Sequence, residues 1–333
     1  MIKKLLMLSI ASFLYASSEV NVYSHRHYEA DKQLFQEFEQ QTGIKVNVVN
    51  AKANELIKRL EKEGNKSPAD LLITSDVGRL YLAKEKGLLK KVESKFLAEV
   101  IPAHLKDSED YWFGLTKRAR VIVYNKETVK PEELSTYEAL GEKKWEKRVL
   151  IRQSSNIYNQ SLLASFIAQF GENAAQDWAT SIVANMARVP AGSDRDQMKA
   201  IVAGVGDVAI VNTYYVGMLL NSQKQNEVQV GQKIGVFFPN QEDRGTHINI
   251  SGIALTKSSK NEANAIKLIE FLADIKAQKI FAEANYEYPV NKNVKPSKLL
   301  QSWGDFKEDK LPLSKLGQYN KEAVMIFNKV GWK

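Results

Sequence analysis

Apolar and polar positions alternate along the chain with two spacings, one typical of buried strands and one typical of amphipathic helices. Residues 70–74 place a short apolar run between polar residues, which predicts a buried strand. Leu34, Phe35 and Phe38 recur at the helical spacing and predict one buried helix face. The longest such pattern, at residues 261–284, predicts a single amphipathic helix. Because strands and helices alternate in short units, the pattern favours an α/β fold with a helix-flanked sheet.

Two stretches, residues 112–125 and 233–252, lack the helical spacing and predict extended chain. We interpret each stretch as a crossing between two lobes, because the chain is long enough for two domains. The sequence therefore predicts a two-lobed α/β protein in which each lobe is a mixed sheet flanked by helices and two hinge crossings join the lobes. The predicted lobes are both discontinuous: residues 18–117 with 246–290, and residues 118–245 with 291–333.

The first seventeen residues have the layout of an export signal. Lys3 and Lys4 are followed by an apolar stretch at residues 5–14, and residues 14–18 offer small side chains for cleavage. We predict a Sec-type signal peptide over residues 1–17. The chain has no cysteine, so we expect no lipid attachment there. No later stretch has 18 consecutive apolar residues. We therefore expect a protein without a membrane anchor, located in the periplasm of a Gram-negative bacterium.

Composition and charge narrow the class of partner. The chain has 333 residues, of which 44% are hydrophobic and 26% are charged, as in an ordinary globular protein. The formal net charge is +8, but Lys and Arg alternate with Asp and Glu on the predicted helix faces. No basic run is interleaved with aromatic residues as in nucleic-acid-binding motifs. We therefore expect a solvated surface and no nucleic-acid partner.

Two adjacent tyrosines, Tyr214 and Tyr215, follow the apolar run at residues 208–211 after Asn212 and Thr213. Ligands of open α/β sheets bind beyond the carboxyl ends of the strands, so phenols at this junction are well placed for chemistry. On this stretch alone the pair could equally be half-buried packing residues. Adjacent side chains diverge by about 100° in a regular helix, so their convergence calls for an irregular junction.

Three further donors stand at predicted strand-to-helix junctions, namely His27, Tyr28 and Tyr158. A phenolate is a hard anionic oxygen donor, and Fe(III) is the biological ion best able to displace the proton of a phenol with a pKa of about 10. Zinc would call for cysteines or several histidines, and calcium or magnesium would call for carboxylates. The chain has only 4 histidines, and the junctions lack carboxylates. The donors therefore favour a ferric site.

Each of these residues also has an ordinary structural interpretation. His27 could be a surface histidine and Tyr158 a first-turn packing aromatic, while His25 is set aside because strand alternation would point it away from His27. Four phenolates on Fe(III) would leave one net negative charge. The guanidinium of Arg118 or Arg120 in the first crossing could offset that charge, although either could instead form a structural salt bridge.

At these residues the chain resembles the periplasmic ferric-ion-binding proteins of iron ABC transporters, which are two-lobed extracellular solute-binding proteins. The resemblance implies the periplasmic binding protein fold, with transferrin-like lobes that close on one ferric ion. It implies His27 from the first lobe, and Tyr214 and Tyr215 from the second. The matching segments follow in order along nearly all of the mature chain: residues 22–28, 68–70, 115–121, 213–215, 238–241, 245–252 and 286–290.

The family has a branch that completes the site with a glutamate after the Pro-Ala-Asp strand and with a bound anion. Residues 73–76 here read Ile-Thr-Ser-Asp, without that glutamate. The chain instead resembles the branch in which Tyr28 and Tyr158 complete the site with protein ligands alone. Whether Ser154 and Ser155, at a predicted helix N-terminus, still bind an anion stays open. The resemblance treats His247 and Asn249 as structural.

The resemblance implies capture of Fe(III) as a transported ligand, without catalysis, by a monomer that delivers it to an inner-membrane permease and its ATPase. Two alternatives remain open from the residues. A non-haem iron enzyme with tyrosinate ligands would need a second histidine ligand and an open coordination position. The same fold could also carry another cargo, such as an oxyanion, thiamine or a polyamine, but such cargoes need few anionic oxygen ligands.

Overall fold

The computed structural model describes residues 18–333, so the predicted signal peptide lies outside the described residues. Among residues 18–333, no helix combines the length and the apolar character that crossing a membrane would need. The strands are β1 (Glu19–Ser24), β2 (Lys45–Asn50), β3 (Leu71–Thr74), β4 (Leu89–Lys90), β5 (Phe113–Asn125), β6 (Val149–Leu150), β7 (Val208–Asn212), β8 (Ile234–Phe237), β9 (Ile248–Thr256) and β10 (Tyr288–Pro289).

The helices alternate with the strands through most of the chain, as the sequence pattern predicts. They are α1 (Glu29–Thr42), α2 (Ala53–Glu63), α3 (Val77–Glu85), α4 (Lys95–Val100), α5 (Ile157–Asn185), α6 (Asp194–Val202), α7 (Thr213–Leu220), α8 (Gln225–Lys233), α9 (Glu262–Ala273), α10 (Ile275–Ala284), α11 (Lys298–Ser302), α12 (Ser314–Gln318) and α13 (Asn320–Val330). Gly171 interrupts α5 with φ +82°, so α5 is two helical segments across a kink.

The strands form one mixed sheet in the order β2-β1-β3-β9-β5-β7-β6, with β4, β8 and β10 pairing beside this path. Strands β1, β2 and β3 are parallel, whereas β9 runs antiparallel to both β3 and β5. Strand β5 is the element that both halves share. It pairs with β9 through Ala119 and with β7 from Arg120 onward. The first predicted crossing is thus one continuous strand that belongs to both halves of the sheet.

Buried apolar side chains form two clusters. The first covers β1, β3 and β9 and continues across β5 to residues of α6 and α7, and the second lies between α5, α13 and the far end of the sheet. Strands such as β3, β7 and β9 are buried at every position, so their sequences are apolar without alternation. The lobe boundaries stay predictions, because the first cluster runs through both halves of the sheet.

The segment at residues 307–309 runs beside the second predicted crossing. The amide of Thr246 donates to the carbonyl of Lys307 over 2.8 Å, and the amide of Asp309 donates to the carbonyl of Thr246 over 2.9 Å. The side chain of Glu308 forms an ion pair with Lys117 of β5. The second crossing is therefore held on one side by the C-terminal part of the chain and not only by the sheet.

The structure differs from the sequence-based prediction at residues 261–284, where two helices stand in place of one. Helix α9 ends at Ala273, and Asp274 has the extended values φ −73° and ψ 166°. The carboxylate of Asp274 accepts a hydrogen bond from the amide of Ala277 over 2.9 Å and so caps α10. Asp274 acts as an N-cap and so interrupts the helix here, although the apolar spacing continues.

Gly245 stands in the left-handed region at φ +94°. A Cβ atom there would lie 2.6 Å from the carbonyl carbon of Glu308 and 2.7 Å from the carbonyl oxygen of Lys307. We expect Gly245→Ala to lower the free energy of unfolding by about 2–4 kcal/mol, from backbone strain and overpacking together. Urea denaturation without iron measures this loss.

Gly204→Ala is the matched control for this substitution. Gly204 has φ +74°, but a Cβ atom there would meet no heavy atom within 4 Å. We expect this variant to lose about 1 kcal/mol from backbone strain alone. Equal losses in the two variants would contradict the close approach of the C-terminal segment to the second crossing.

Candidate metal centre

The tyrosine pair lies where β7 gives way to α7 without an intervening loop. Asn212 is still extended, with φ −83° and ψ 140°, and α7 begins at Thr213. Tyr214 and Tyr215 therefore occupy the first turn of α7. Their ring centroids are 4.1 Å apart at an interplanar angle of 33°. Tyr214 is 3% exposed. Because both tyrosines lie inside α7, their rings approach each other within a helix and not at the irregular junction expected from the sequence.

Tyr158 reaches this pair from the first turn of α5. The side chain of Asn156 caps that helix by accepting a hydrogen bond from the amide of Tyr158 over 3.1 Å. The hydroxyl oxygens of Tyr158 and Tyr214 are 3.3 Å apart, within hydrogen-bond distance. Two phenol oxygens from different elements thus meet, as an oxygen-ligated metal site requires.

Tyr28 and His27 come from the loop between β1 and α1. Tyr28 is the residue before α1, and its ring lies 4.9 Å from the guanidinium carbon of Arg26. His27 is exposed, and its ring centroid is 5.7 Å from that of Tyr28. The Nδ1 atom of His27 is 3.4 Å from the carbonyl oxygen of His25. The structure therefore places His27 at the rim of the phenol group.

Electrostatic coupling joins the first-half tyrosine to the second-half pair. Burial raises the pKa of Tyr28, and the charges of Glu287 and Tyr158 raise it further. Burial also raises the pKa of Tyr214, and its neighbours Tyr158, Tyr28 and Tyr215 add to the increase. For Tyr215 the pKa is likewise raised, first by burial. Without a cation nearby these phenols keep their protons, because each phenolate would be desolvated beside another.

Three guanidinium groups surround the ring of Tyr158. The guanidinium carbons of Arg118, Arg120 and Arg152 lie 5.4, 5.9 and 5.9 Å from its centroid. Arg118 also donates to the carbonyl of Ser75. The two arginines predicted from the sequence are accompanied by a third that the sequence reasoning missed.

Arg120 organises the second half of the site through hydrogen bonds to residues beside the phenols. Its Nη2 donates to Oδ1 of Asn159 over 2.6 Å, and its Nη1 donates to Oδ1 of Asn212 over 3.1 Å. Asp194, which is fully buried, accepts from Arg120 over 3.3 Å and from Arg152 over 3.0 Å. One buried guanidinium therefore fixes segments next to Tyr158 and before the tyrosine pair.

The charges around the phenols nearly cancel. The carboxylates of Asp31 and Glu287 hold Arg26, each at 3.0 Å. Altogether five guanidinium groups face four carboxylates, which leaves a surplus of one positive charge before any phenol ionises. The groups are Arg26, Arg79, Arg118, Arg120 and Arg152, with Asp31, Asp76, Asp194 and Glu287.

A cavity of about 300 Å³ opens beside Tyr158 and Tyr215. Its polar lining includes His25, Arg79 and Arg152, none of which was predicted as a site residue. The Nε atoms of Arg79 and Arg152 are buried and, within the described part of the chain, have no hydrogen-bond partner. The cavity therefore presents positive charge next to the phenols, which suits a small anion.

His25 faces this cavity because β1 ends one residue earlier, at Ser24, so strand alternation does not extend to the loop. Its Nδ1 is 2.7 Å from Oγ of Ser75 and 3.4 Å from Nη1 of Arg79. Burial, followed by the charge of Arg79, lowers the pKa of His25 to about 4. The histidine is therefore neutral at neutral pH. The position of His25 could have been predicted from the sequence, because the alternation of apolar residues ends before it.

The two serines left open by the sequence, and the two residues treated there as structural, have distinct positions. Ser155 lines the cavity, whereas the amide of Ser154 donates to the carbonyl of Lys333 over 2.9 Å. Asn249 accepts from the amide of Val77 over 3.1 Å. His247 is buried, and burial lowers its pKa to about 3. Only the second serine faces the phenol side.

The chain is similar to proteins of a known family. Residues 33–308 match the bacterial extracellular solute-binding protein family. Iron uptake protein A1 of Synechocystis is 48% identical over 315 residues, which cover 95% of this chain and 88% of that protein. A ferric binding protein from Campylobacter jejuni is 48% identical with a TM-score of 0.89, over 94% of this chain and 100% of that one.

A Trichodesmium protein solved in complex with iron and citrate is 47% identical with a TM-score of 0.92, over 95% of this chain and 100% of that one. These neighbours confirm the two-lobed α/β fold predicted from the sequence. The family resemblance drawn from the motifs is confirmed as well. The chain belongs to the bacterial extracellular solute-binding protein family.

Proposed function

We propose that the protein binds one Fe(III) between its lobes through the phenolates of Tyr28, Tyr158, Tyr214 and Tyr215, with His27 as the fifth ligand. The observation that carries this proposal is the 3.3 Å approach of the Tyr158 and Tyr214 oxygens, with the Tyr215 ring packed against Tyr214. Relatives covering nearly the whole chain are iron uptake and ferric binding proteins, which supports iron as the cargo.

Charge balance supports the trivalent ion. Four phenolates around Fe(III) carry one net negative charge, and the surrounding groups carry a surplus of one positive charge. Arg118 and Arg120, the counter-charges expected from the sequence, lie near the ring of Tyr158. A divalent ion on the same phenolates would leave a buried charge uncompensated, which is costly.

A second candidate concerns the form in which iron arrives. The cavity beside Tyr158 has two guanidinium groups, those of Arg79 and Arg152, turned toward the phenol side. We propose that a small carboxylate chelator can accompany the ion there, since guanidinium groups bind carboxylates through paired hydrogen bonds. The Trichodesmium relative, solved with iron and citrate, makes citrate the chelator to test. Citrate should then change the visible spectrum of the ferric protein.

Like its iron uptake and ferric binding relatives, the protein is a transport component and not an enzyme. We propose that it acts in the periplasm after removal of a Sec-type signal peptide, as a monomer. It would deliver iron to an inner-membrane permease and its ATPase, opening by a hinge motion at β5 and near Gly245. Absence of oxygen uptake with catechols would separate this role from ring-cleaving iron chemistry.

Ferric titration tests the proposed site directly. Adding a weak ferric chelate should produce a visible tyrosinate-to-iron charge-transfer band that saturates at one ion per protein. Gallium(III) should compete for the site without producing colour, because it matches the charge of Fe(III) but accepts no charge transfer. Iron binding without a visible band would rule out phenolate ligation, and a continued rise past one equivalent would rule out a single site.

Iron affinity should fall as the pH falls. The raised pKa values of Tyr28, Tyr214 and Tyr215 mean that these phenols are protonated at neutral pH without iron, so binding must release their protons. Binding through four phenolates releases four protons, which corresponds to an apparent affinity that falls about ten-thousandfold for each unit of pH. The pH change on ferric loading in weak buffer measures the number of protons released per iron bound. Release of no proton would contradict phenolate binding.

A further inference from the structure

The carboxylate of Asp76 is fully buried and contacts none of the proposed iron ligands. Asp76 is the N-cap residue of α3, and its Oδ1 accepts from the amide of Gly78 over 2.8 Å. Its Oδ2 accepts from Nδ2 of Asn249 on β9 over 2.9 Å. These partners belong to the half of the sheet that carries β1, β2 and β3, so they account for a local capping role.

One further partner comes from the opposite half. The hydroxyl of Ser161 on α5 donates to Oδ1 and Oδ2 of Asp76 over 3.2 and 3.1 Å. Ser161 is fully buried as well. The guanidinium of Arg118 on the shared strand lies 4.0 Å from the same carboxylate. Asp76 thus sits where α3, β9, β5 and α5 meet, and a local cap needs no donor from α5.

Ser161 and Tyr158 are three residues apart on α5, so they lie on the same face of the helix. The hydroxyl that ties α5 to the N-cap of α3 therefore lies on the helix face that carries the Tyr158 phenol, whose oxygen is 3.3 Å from that of Tyr214. Burying a carboxylate costs free energy unless it is hydrogen-bonded. If the halves separate, Asp76 loses a buried donor, and the helix that carries Tyr158 loses a direct hydrogen bond to the other half.

We infer that Asp76 and Ser161 form a latch between the two halves that holds the protein closed around its cargo and slows dissociation of iron. Both are positioning residues, since neither belongs to the proposed ligand set. The inference rests on the proposed function, because it concerns the retention of Fe(III) by Tyr158. It adds a contact outside the ligand set that sets how long the closed form persists.

Ser161→Ala tests the latch. We expect iron to leave the loaded variant about tenfold faster when a strong chelator is added, since a hydrogen bond to a charged group is lost from the closed form. The visible band should keep its position, because every phenolate ligand remains. The readouts are the decay of that band after mixing with chelator, and the radius of gyration of the loaded protein in solution.

Ser165→Ala is the matched control. Ser165 lies one turn further along α5 and is also fully buried, but its hydroxyl donates over 2.6 Å to the carbonyl of Leu162 in the same helix. Loss of a buried serine hydroxyl from α5 is common to both variants, whereas loss of the tie to Asp76 is not. We expect iron to leave Ser165→Ala within about twofold of the rate for the unmodified protein.

A double-mutant comparison completes the test. Asp76→Asn should also speed iron release, because its neutral amide oxygen accepts more weakly than the carboxylate, and adding Ser161→Ala to it should have less than its full effect, because both changes weaken the same contact. Fully multiplied effects, or an unchanged release rate in Ser161→Ala with the visible band intact, would overturn the latch alone. A ferric protein with no visible band would instead overturn the proposed phenolate site on which the latch depends.

Discussion

Tyr214→Phe combined with Tyr215→Phe is expected to weaken the visible charge-transfer band and to lower ferric affinity at least about a thousandfold. Both phenol oxygens would be lost from the side of the site that α7 provides, and only Tyr28, Tyr158 and His27 would remain. The expected loss is large because anionic oxygen donors supply most of the attraction for a hard trivalent ion. Competition with a ferric chelator at neutral pH measures the affinity.

Tyr124→Phe serves as the control for this pair. Tyr124 is a buried tyrosine of β5, and its aromatic ring packs against Gly235 in the second half of the sheet. Its replacement should leave both the band and the affinity unchanged. If the double variant at α7 kept the affinity of the unmodified protein, the tyrosine pair would be packing residues and the proposed ligand set would be wrong.

Arg26→Met is expected to lower the free energy of unfolding by about 3–5 kcal/mol. Arg26 is 2% exposed and pairs with both Asp31 and Glu287 at 3.0 Å. Its removal would leave two buried carboxylates without their counter-charge, while methionine keeps most of the volume. Burial already raises the pKa of Asp31, against the opposing charge of Arg26, so the variant should bind a proton there. Urea denaturation without iron gives the loss.

Lys32→Met is the matched control, beside Asp31 on α1. Lys32 pairs with Glu29 over 2.7 Å, but the two side chains are 60% and 86% exposed. Solvent screens such a pair, so its loss should change the free energy of unfolding by no more than about 0.5 kcal/mol. A loss of under about 1 kcal/mol in Arg26→Met would show that the carboxylates find other partners or protonate at little cost.

Much of the fold could be predicted because its signals are local. The extended stretch at residues 112–125 and the apolar run before Tyr214 follow from spacing alone, and the structure has strands at both places. The one long helix predicted at residues 261–284 was wrong, because the capping side chain of Asp274 outweighs the continuing apolar spacing. The spacing of apolar residues thus predicted where strands and helices lie better than where a helix is broken by a capping side chain.

The surroundings of the candidate site could not be predicted in the same way. Arg26 and Glu287 are 261 residues apart in sequence, and Asp76 meets Ser161 across 85 residues. Such pairs have no shared spacing, so only the folded chain brings them together. His25 was missed for a different reason: the alternation rule was extended past the end of β1. The tyrosines could be identified from the sequence because each stands directly at a predicted strand-to-helix junction.

In the proposed hinge motion, the shared strand β5 would also change the charge around the phenols. Arg118 and Arg120 are two residues apart and point to the same side of β5, yet residue 118 pairs with β9 and residue 120 with β7. If the lobes turn about Ala119, in line with the hinge proposed at β5, one guanidinium would move with each lobe. Opening would withdraw part of the positive field from the phenolates, and their affinity for protons would rise at that moment. Lobe separation and proton return would then act together, so that the hinge itself promotes unloading.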